Sequence, residues 1–490
     1  MIGYAPCVPS DDSGLTREEL LALLAARDEQ NVALRRRLEE LEGLVAALRA
    51  QLGRDSSNSS RPPSSDSPFV KKPAAKRSSR TRSGRRPGKQ PGSEGTTLRL
   101  VDEPDDVVVP APSACGGCGG DLAAGSVFEQ QRRQVFDVPP TPPRPHVTEY
   151  RICSVCCPGC GAVTAAEAPK AAAGRVAYGP KVKARAAWLV AGHFLPVRRA
   201  RSTLNALLGF TVSSGFVTRV RGAAARLLEQ DFLPAVRALI ATAPVAHADE
   251  TTARAQGALH YLHVVCTGHL TAMHVGDRSA ETIDAGGIWP SFAGILVRDG
   301  YAGYAHLERV EHAWCGILVR DLRAVHDADP LGQSWAGMTV RTLLRGNTLA
   351  HHARDAGREK LTQAELAELD SWYHGAIAQG RMENDIGTDP LHEQARVLLR
   401  RFERHKDMIL RFTVNLTVPF TNNTAELPAR TVKVQQRTSG GCWRTLQGLV
   451  DFAVVQSYLS TATKWGLDTL DILERLFTTG PWIPNTLTPA

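Results

Sequence analysis

A chain of 490 residues exceeds what one hydrophobic core usually holds, so two or three globular units are expected. It has no apolar run of about 18 residues and no basic stretch leading into a short apolar segment, which excludes a membrane span and a secretory signal and points to a soluble, cytoplasmic, nucleoid-associated protein. The formal charge of +8 and isoelectric point near 9.0 are mild, but the basic excess is concentrated, so nucleic acid is the first partner to consider.

From about Leu15 to Leu52 apolar residues alternate by four and three: Leu20, Leu24, Leu34, Leu38, Leu41, Val45, Leu48 and Leu52. This spacing predicts a leucine-zipper coiled coil within residues 1–55. Asn31 occupies a seam position, where a buried polar pair fixes register and favours a parallel homodimer. The competing reading is an amphipathic helix docked on the protein's own body, which Arg27 at another seam position favours.

Residues 56–105 read as a disordered basic linker. It opens with Ser56-Ser-Asn-Ser-Ser-Arg-Pro-Pro-Ser-Ser-Asp66, too polar and proline-rich for a helix or a core. From Lys71 to Lys89 no acid interrupts Lys71, Lys72, Lys76, Arg77, Arg80, Arg82, Arg85, Arg86 and Lys89. Such a run repels itself into an extended tether and seeks phosphate, with a solvated linker as the plain alternative.

Six of the ten cysteines lie between positions 115 and 160. Cys115-Gly-Gly-Cys118-Gly and Cys157-Pro-Gly-Cys160-Gly each place two thiolates for one tetrahedral ion, which predicts a structural Zn2+ module over 106–170. Cys153 and Cys156 share the spacing and compete for the second pair, but only Cys157 and Cys160 carry the trailing glycine, Gly161. Alternating residues from Val127 to Tyr150, around the prolines from Pro139 to Pro145, predict a small ribbon between the knuckles. Residues 171–243 read as helices, with Gly209 and Val212-Ser213-Ser214 as the turn of a possible helix-turn-helix and Arg198, Arg199, Arg201, Arg219 and Arg221 on or beside it.

The segment 244–466 reads as a catalytic core. Val245-Ala-His-Ala-Asp249-Glu250 begins a β-rich stretch, and Tyr261–Thr267 with Leu270–Val275 forms a hairpin turned at Gly268-His269. Gly294-Ile-Leu-Val-Arg-Asp299 is a buried strand ending in an acid, so Asp249 and Asp299 stand at one sheet edge as hard oxygen ligands suited to Mg2+ or Mn2+. Glu426, at the start of a helix, is the third acid, with a capping box from Asn423 as its structural alternative. Glu250 would point to the opposite face of the strand. Lys433 and Arg437 are placed to hold a DNA backbone, and Trp443 with Arg444 to grip a terminal base, with packing or surface roles as alternatives. His247, His260 and His263 fall near strand positions and read as packed or solvated.

With Gly88-Lys-Gln-Pro-Gly92, the two knuckles, His247-Ala-Asp-Glu-Thr251, Leu296-Val-Arg-Asp-Gly300, Asn422-Asn-Thr-Ala-Glu426, Lys433-Val-Gln-Gln-Arg437 and Ser457-Tyr-Leu-Ser-Thr461 in this order, the chain resembles the large transposase of the bacterial insertion-sequence-sixty-six family over almost its whole length. The resemblance implies an RNase-H-like fold with two aspartates and a glutamate as catalytic acids, which fall here on Asp249, Asp299 and Glu426. It also implies a zipper, a zinc module, a helical insertion before the glutamate, and possible small accessory proteins of the same element. Thr421, Leu427 and the Cys315-to-Arg320 tract depart from the family pattern. The expected architecture is therefore multidomain α+β: coiled coil, zinc-binding module, helical region and an α/β RNase-H-like core with an insertion over about 311–415, then a tail at 467–490. The expected function is metal-dependent cleavage and strand transfer of DNA, with a catalytically degenerate DNA-binding copy as the alternative.

Overall fold

The computed structural model describes residues 27–28, 30–34, 36–38, 41, 45, 100–126, 132–136, 145–167, 169 and 175–489, and the chain divides into two units, Met1–Ala75 and Lys76–Ala490. In the first unit the described positions between Arg27 and Val45 are all helical, and Leu34, Leu38, Leu41 and Val45 are exposed. Leu20, Leu24, Leu48 and Leu52 lie outside the described residues. So does the basic run from Lys71 to Lys89, including Lys76, Arg77, Arg80, Arg82, Arg85 and Arg86.

The cysteine segment of the second unit holds two turns of one form. Cys115 O accepts from Gly119 N at 2.8 Å and Cys115 N donates to Gly120 O at 2.8 Å; Cys157 O accepts from Gly161 N at 2.9 Å and Cys157 N donates to Ala162 O at 2.8 Å. Gly119 and Gly161 sit at φ 72° and 75°, where a side chain would strain the backbone. Strands β1 (Ser154–Cys156) and β2 (Val163–Ala165) pair antiparallel around the second turn. Of the ribbon expected from Val127 to Tyr150, residues 132–136 and 145–150 carry no strand, and the rest lies outside the described residues.

Four helices follow: α1 (Pro180–Ala187), continued by a π-helical turn at Trp188–Gly192, then α2 (Val197–Leu208), α3 (Ser214–Gln230) and α4 (Phe232–Ala241). Proline at the first position suits α1, where an amide N–H would have no intrahelical acceptor. Gly209, at φ 68°, ends α2, and Ser213 Oγ caps α3 by accepting from Phe216 N at 3.1 Å. The expected separation of this region from the core is not observed. Ala184, Leu204, Val217, Leu228 and Ile240 lie in one buried cluster with Ala246, Ala248, Val265 and Ala272 of the sheet, so the helices cover a sheet face.

The sheet has five strands in the order β5-β4-β3-β6-β7: β3 (Val245–Ala255), β4 (Ala258–Cys266), β5 (Thr271–Gly276), β6 (Ile295–Arg298) and β7 (Glu311–Trp314). The first three form an antiparallel meander, whose β3–β4 turn uses Gln256 and Gly257 at φ 53° and 80°; β6 and β7 run parallel to β3. A helix α5 (Ala280–Ala285) lies between β5 and β6.

Beyond β7 come α6 (Leu318–Ala328), α7 (Ser334–Asp355), α8 (Gln363–Glu383), α9 (Pro390–Arg404) and α10 (Lys406–Val414). The helical insertion therefore starts after Trp314 rather than at 311, because Glu311–Trp314 pairs with β6 as the fifth strand. Leu322, Trp335, Leu343, Tyr373, Leu399 and Phe402 form a core with Trp314 of β7, and Leu349, Ala353 and Phe412 pack on Ile295, Val297 and Ala313 of the sheet. The chain then returns to the sheet with α11 (Asn423–Thr438), α12 (Leu446–Lys464) and α13 (Thr469–Thr478). The expected tail at 467–490 is instead a packed helix: Ile472, Leu473 and Leu476 are buried in the cluster shared with α1 and α3. On the other sheet face, Ala253, Leu262, Val264 and Met273 meet Ala425, Ala429 and Val432 of α11 and Leu449 and Phe452 of α12. The sheet is thus covered by helices on both faces, in a mixed α+β fold. No described helix is long and apolar enough to cross a membrane.

Candidate active site

The first two acids are set by strand register. Val245 pairs with Ile295 and His247 with Val297. Two residues further along, Asp249 stands level with Asp299, which directly follows β6. Side chains alternate along a strand, so Asp249 projects to the β3 face over which α11 lies, and Asp299 acts on it through space from the end of β6.

Glu426 reaches this place because α11 is tied to β3. Asn422, immediately before the helix and buried, accepts at Oδ1 from His247 Nδ1–H at 3.0 Å and donates from Nδ2 to Ala248 O at 2.8 Å. The tautomer follows from the network: the amide nitrogen of Asn422 is spent on a carbonyl, so its oxygen faces the ring. Burial pushes His247 down to about 4, against the Asn422 hydrogen bond and with the help of Lys464, so the ring is neutral at pH 7. The main-chain oxygen of Asn422 takes Ala425 N at 3.1 Å and Glu426 N at 3.0 Å. The alternative of a capping box is not what forms: α11 has no side-chain cap, and Glu426 Oε2 instead accepts from the exposed Arg430 at 3.0 Å.

The acids act on one another through space. Asp249 is pushed up to about 7, chiefly by burial, then by the charges of Glu250, Asp299 and Glu426; its hydrogen bond from Glu250 N opposes the shift. The buried thiol of Cys315 is pushed up to about 12 by burial, with Asp299, Glu426 and Asp249 adding to it. Asp299 Oδ1 accepts from Tyr301 N at 2.9 Å. Among the described residues no three His, Cys, Asp or Glu side chains lie close enough together to hold one ion, so neither the acids nor the cysteines form a closed ligand shell.

Glu250 lies on the opposite face, as strand alternation requires. Its nearly inaccessible carboxylate pairs with Arg278 and accepts from Tyr304 Oη at 3.3 Å. Arg278 stacks on Tyr301, 3.6 Å from the ring centroid, and Tyr301 Oη donates to Arg278 O at 2.9 Å. Because Tyr301 also holds Asp299, this cluster braces the strand end behind the acids. It was missed in the sequence, where Arg278, Tyr301 and Tyr304 are scattered through loops without a shared pattern.

Other sequence candidates are redistributed. Lys433 Nζ donates to Thr252 O at 2.6 Å and Thr252 Oγ1 at 2.7 Å, pinning α11 to β3, while Arg437 is exposed. Trp443 is buried against Phe452, ring centroids 5.4 Å apart, and its backbone extends β3 through Arg254 O at 2.8 Å, which removes it as a platform for a base. His263 stacks on His274 at 4.7 Å. At the knuckles, the Cys115 thiol is lowered by the N–H groups of Cys118 and Gly117, and that of Cys157 by those of Cys160 and Gly159. Cys153 and Cys156 have no such turn; Cys156 Sγ donates to Gly161 O at 3.4 Å.

Asp249 on β3, Asp299 after β6 and Glu426 on a helix tied to β3 thus set three carboxylates whose charges act on one another. The model of the Transposase IS66 family matches residues 175–450, more than half of the chain, and the protein belongs to that family. A second model, described as a family of unknown function (DUF6444), matches residues 9–99. No curated protein matches the chain.

Proposed function

We propose that the chain is a DDE-type transposase that cleaves the ends of an insertion sequence and joins them to target DNA, with Asp249, Asp299 and Glu426 as its catalytic acids on an RNase-H-like core. The observation that carries this reading is the tie between the Glu426 helix and the Asp249 strand, Asn422 bonding His247 at 3.0 Å and Ala248 O at 2.8 Å; burial and the charges of Glu250, Asp299 and Glu426 push the Asp249 carboxyl up to about 7. Such mutual repulsion is what a divalent cation relieves.

The donor set fits Mg2+ or Mn2+, because carboxylate oxygens are hard ligands and the nearby buried amine, Lys464, is spent on Thr267 O at 2.8 Å and Leu270 O at 3.1 Å. When bound, such ions supply an activated attacking oxygen and stabilise the leaving 3′ oxygen in phosphoryl transfer. The residues of the chain do the positioning: register holds Asp249 and Asp299 level, Asn422 sets the start of the Glu426 helix, and the Glu250–Arg278–Tyr301 cluster supports Asp299 from behind. Cys115, Cys118, Cys157 and Cys160 are proposed to hold a structural Zn2+; their two matching turns support it. The exposed seam of the N-terminal helix supports a homodimer that brings two DNA ends together, and the basic run at Lys76, Arg77, Arg80, Arg82, Arg85 and Arg86 is proposed to tether DNA.

The test is nicking and strand joining on DNA that carries the element's ends, with Mg2+ or Mn2+, comparing wild type with Asp249→Ala, Asp299→Ala and Glu426→Ala. Activity in the wild type that disappears in all three supports the assignment. End-specific binding without cleavage by the wild type identifies a degenerate DNA-binding copy instead, a reading kept because Leu427, beside Glu426, is 60% exposed and Pro428 lies inside α11.

A further inference from the structure

From Ala168 to Leu228 the chain contains no Asp or Glu, whereas ten Lys and Arg residues fall between Arg175 and Arg226. Part of this excess is gathered at one place. Arg198, Arg201, Ser202 and Asn205 share one stripe of α2 and, with Ser214 at the start of α3, line a groove of about 450 Å³. Arg198 and Arg201 are exposed, and no ion pair engages either among the described residues. Asn205 Oδ1 accepts from Val212 N at 2.8 Å, which leaves its Nδ2 as a donor. The groove is rigid because Ala200, Leu204, Val212 and Val217 beneath it are buried in the main core. That core lies under the sheet face opposite to the one from which Asp249 projects.

We infer that this groove binds the phosphate backbone of duplex DNA, as a second contact separate from the acids. The donors are two guanidiniums, hydroxyls and an amide, and planar guanidiniums match phosphate oxygens in paired N–H contacts. No acid lies on the three neighbouring helices before Glu229; Arg185 pairs with Glu474 and Arg221 interacts with Asp451 from other elements, while Arg198 and Arg201 take part in no ion pair among the described residues. The inference rests on the transposase reading only for naming DNA as the polyanion.

The test uses the full-length protein and fluorescence anisotropy of a short labelled duplex, without divalent ions, over about 50 to 200 mM salt. Arg198→Glu with Arg201→Glu is expected to weaken binding at least about tenfold and to reduce the slope of log affinity against log salt by about 2, since each phosphate contact contributes roughly 0.9. Arg199→Glu, on the same helix but off the stripe, is expected to stay within about twofold of wild type, the charge lost being outside the contact. Melting curves of both variants should overlay wild type, because all three side chains are exposed. Unchanged affinity and slope in the double variant, or an equal loss in Arg199→Glu, overturns the inference. Nicking assays separate the two claims: cleavage with unaltered binding in the double variant removes this groove and spares the transposase, and weakened binding without wild-type cleavage does the reverse.

Discussion

The side-chain amide of Asn422 joins His247 and Ala248 of β3, at 3.0 and 2.8 Å, four residues before Glu426 and two before Asp249 in their respective elements. One amide thereby couples the helix that carries the third acid to the strand that carries the first. Replacing it with alanine leaves a buried ring N–H and a buried carbonyl without partners, a cost of about 1–3 kcal/mol. The helix start is then free to shift, and a displacement near 1 Å at a reacting centre costs about a hundredfold in rate. Asn422→Ala is expected to lower the urea midpoint and to reduce nicking by more than the lost stability accounts for. Equal nicking per folded molecule would show that Asn422 serves stability alone.

The raised Asp249 carboxyl makes a signed prediction. Its folded value, about 7, lies above the ordinary 3.8, so between those values the native state holds the extra proton and the group's contribution to stability falls as pH rises. Asp249→Asn removes that repulsion. In chelator, the variant should melt above wild type at pH 8, the gap should shrink as the pH falls through 7, and it should close near pH 4. Added Mg2+ should narrow the gap at pH 8 by stabilising only the wild type. A gap that is independent of pH would mean that Asp249 titrates normally.

Lys433 and Arg437 lie on the same helix but should behave differently. Lys433→Met removes two hydrogen bonds that hold α11 to β3 and is expected to cost about 1–3 kcal/mol of stability. Its effect on the salt dependence of DNA binding should be slight, since its amine is turned inward. Arg437→Ala should leave the melting curve in place and reduce the salt slope by about 1. Thermal melts and salt titrations on the two variants check both, and a shared loss of DNA affinity without destabilisation would place Lys433 on the surface.

How far the fold was legible is seen in one repeated hexapeptide. Gly294-Ile-Leu-Val-Arg-Asp299 and Gly316-Ile-Leu-Val-Arg-Asp321 are identical, yet the first is strand β6 and the second opens helix α6. In the first, Ile295 to Arg298 are all buried between β3 and β7. In the second, Leu318, Val319, Leu322 and Val325 are buried at helical spacing while Arg320 turns outward. The period of the flanking residues, not the hexapeptide, decides. The β4–β5 hairpin and the buried strand before Asp299 were readable because local pattern governs them. The roles of Asn422, Lys433 and Trp443 were not, since each depends on which distant strand its element meets. Trp443 in particular looked like a stacking residue and is core because β3 is long enough to reach it.

The two cysteine turns give the last prediction. Each presents backbone N–H groups to its first sulfur, which lowers the thiols of Cys115 and Cys157, as the proposed metal site would need. Cys153 and Cys156 lack that turn, which favours Cys157 and Cys160 as the proposed second pair. Purified protein is expected to carry one Zn2+ per chain by elemental analysis. Cys115→Ser and Cys157→Ser should each abolish retention, whereas Cys153→Ser with Cys156→Ser should keep it. Because the metal would join two turns 42 residues apart in the sequence, chelation should expose residues 106–170 to proteolysis while leaving the sheet and its helices intact. Retention of zinc in Cys157→Ser and its loss in the Cys153/Cys156 variant would reverse the assignment.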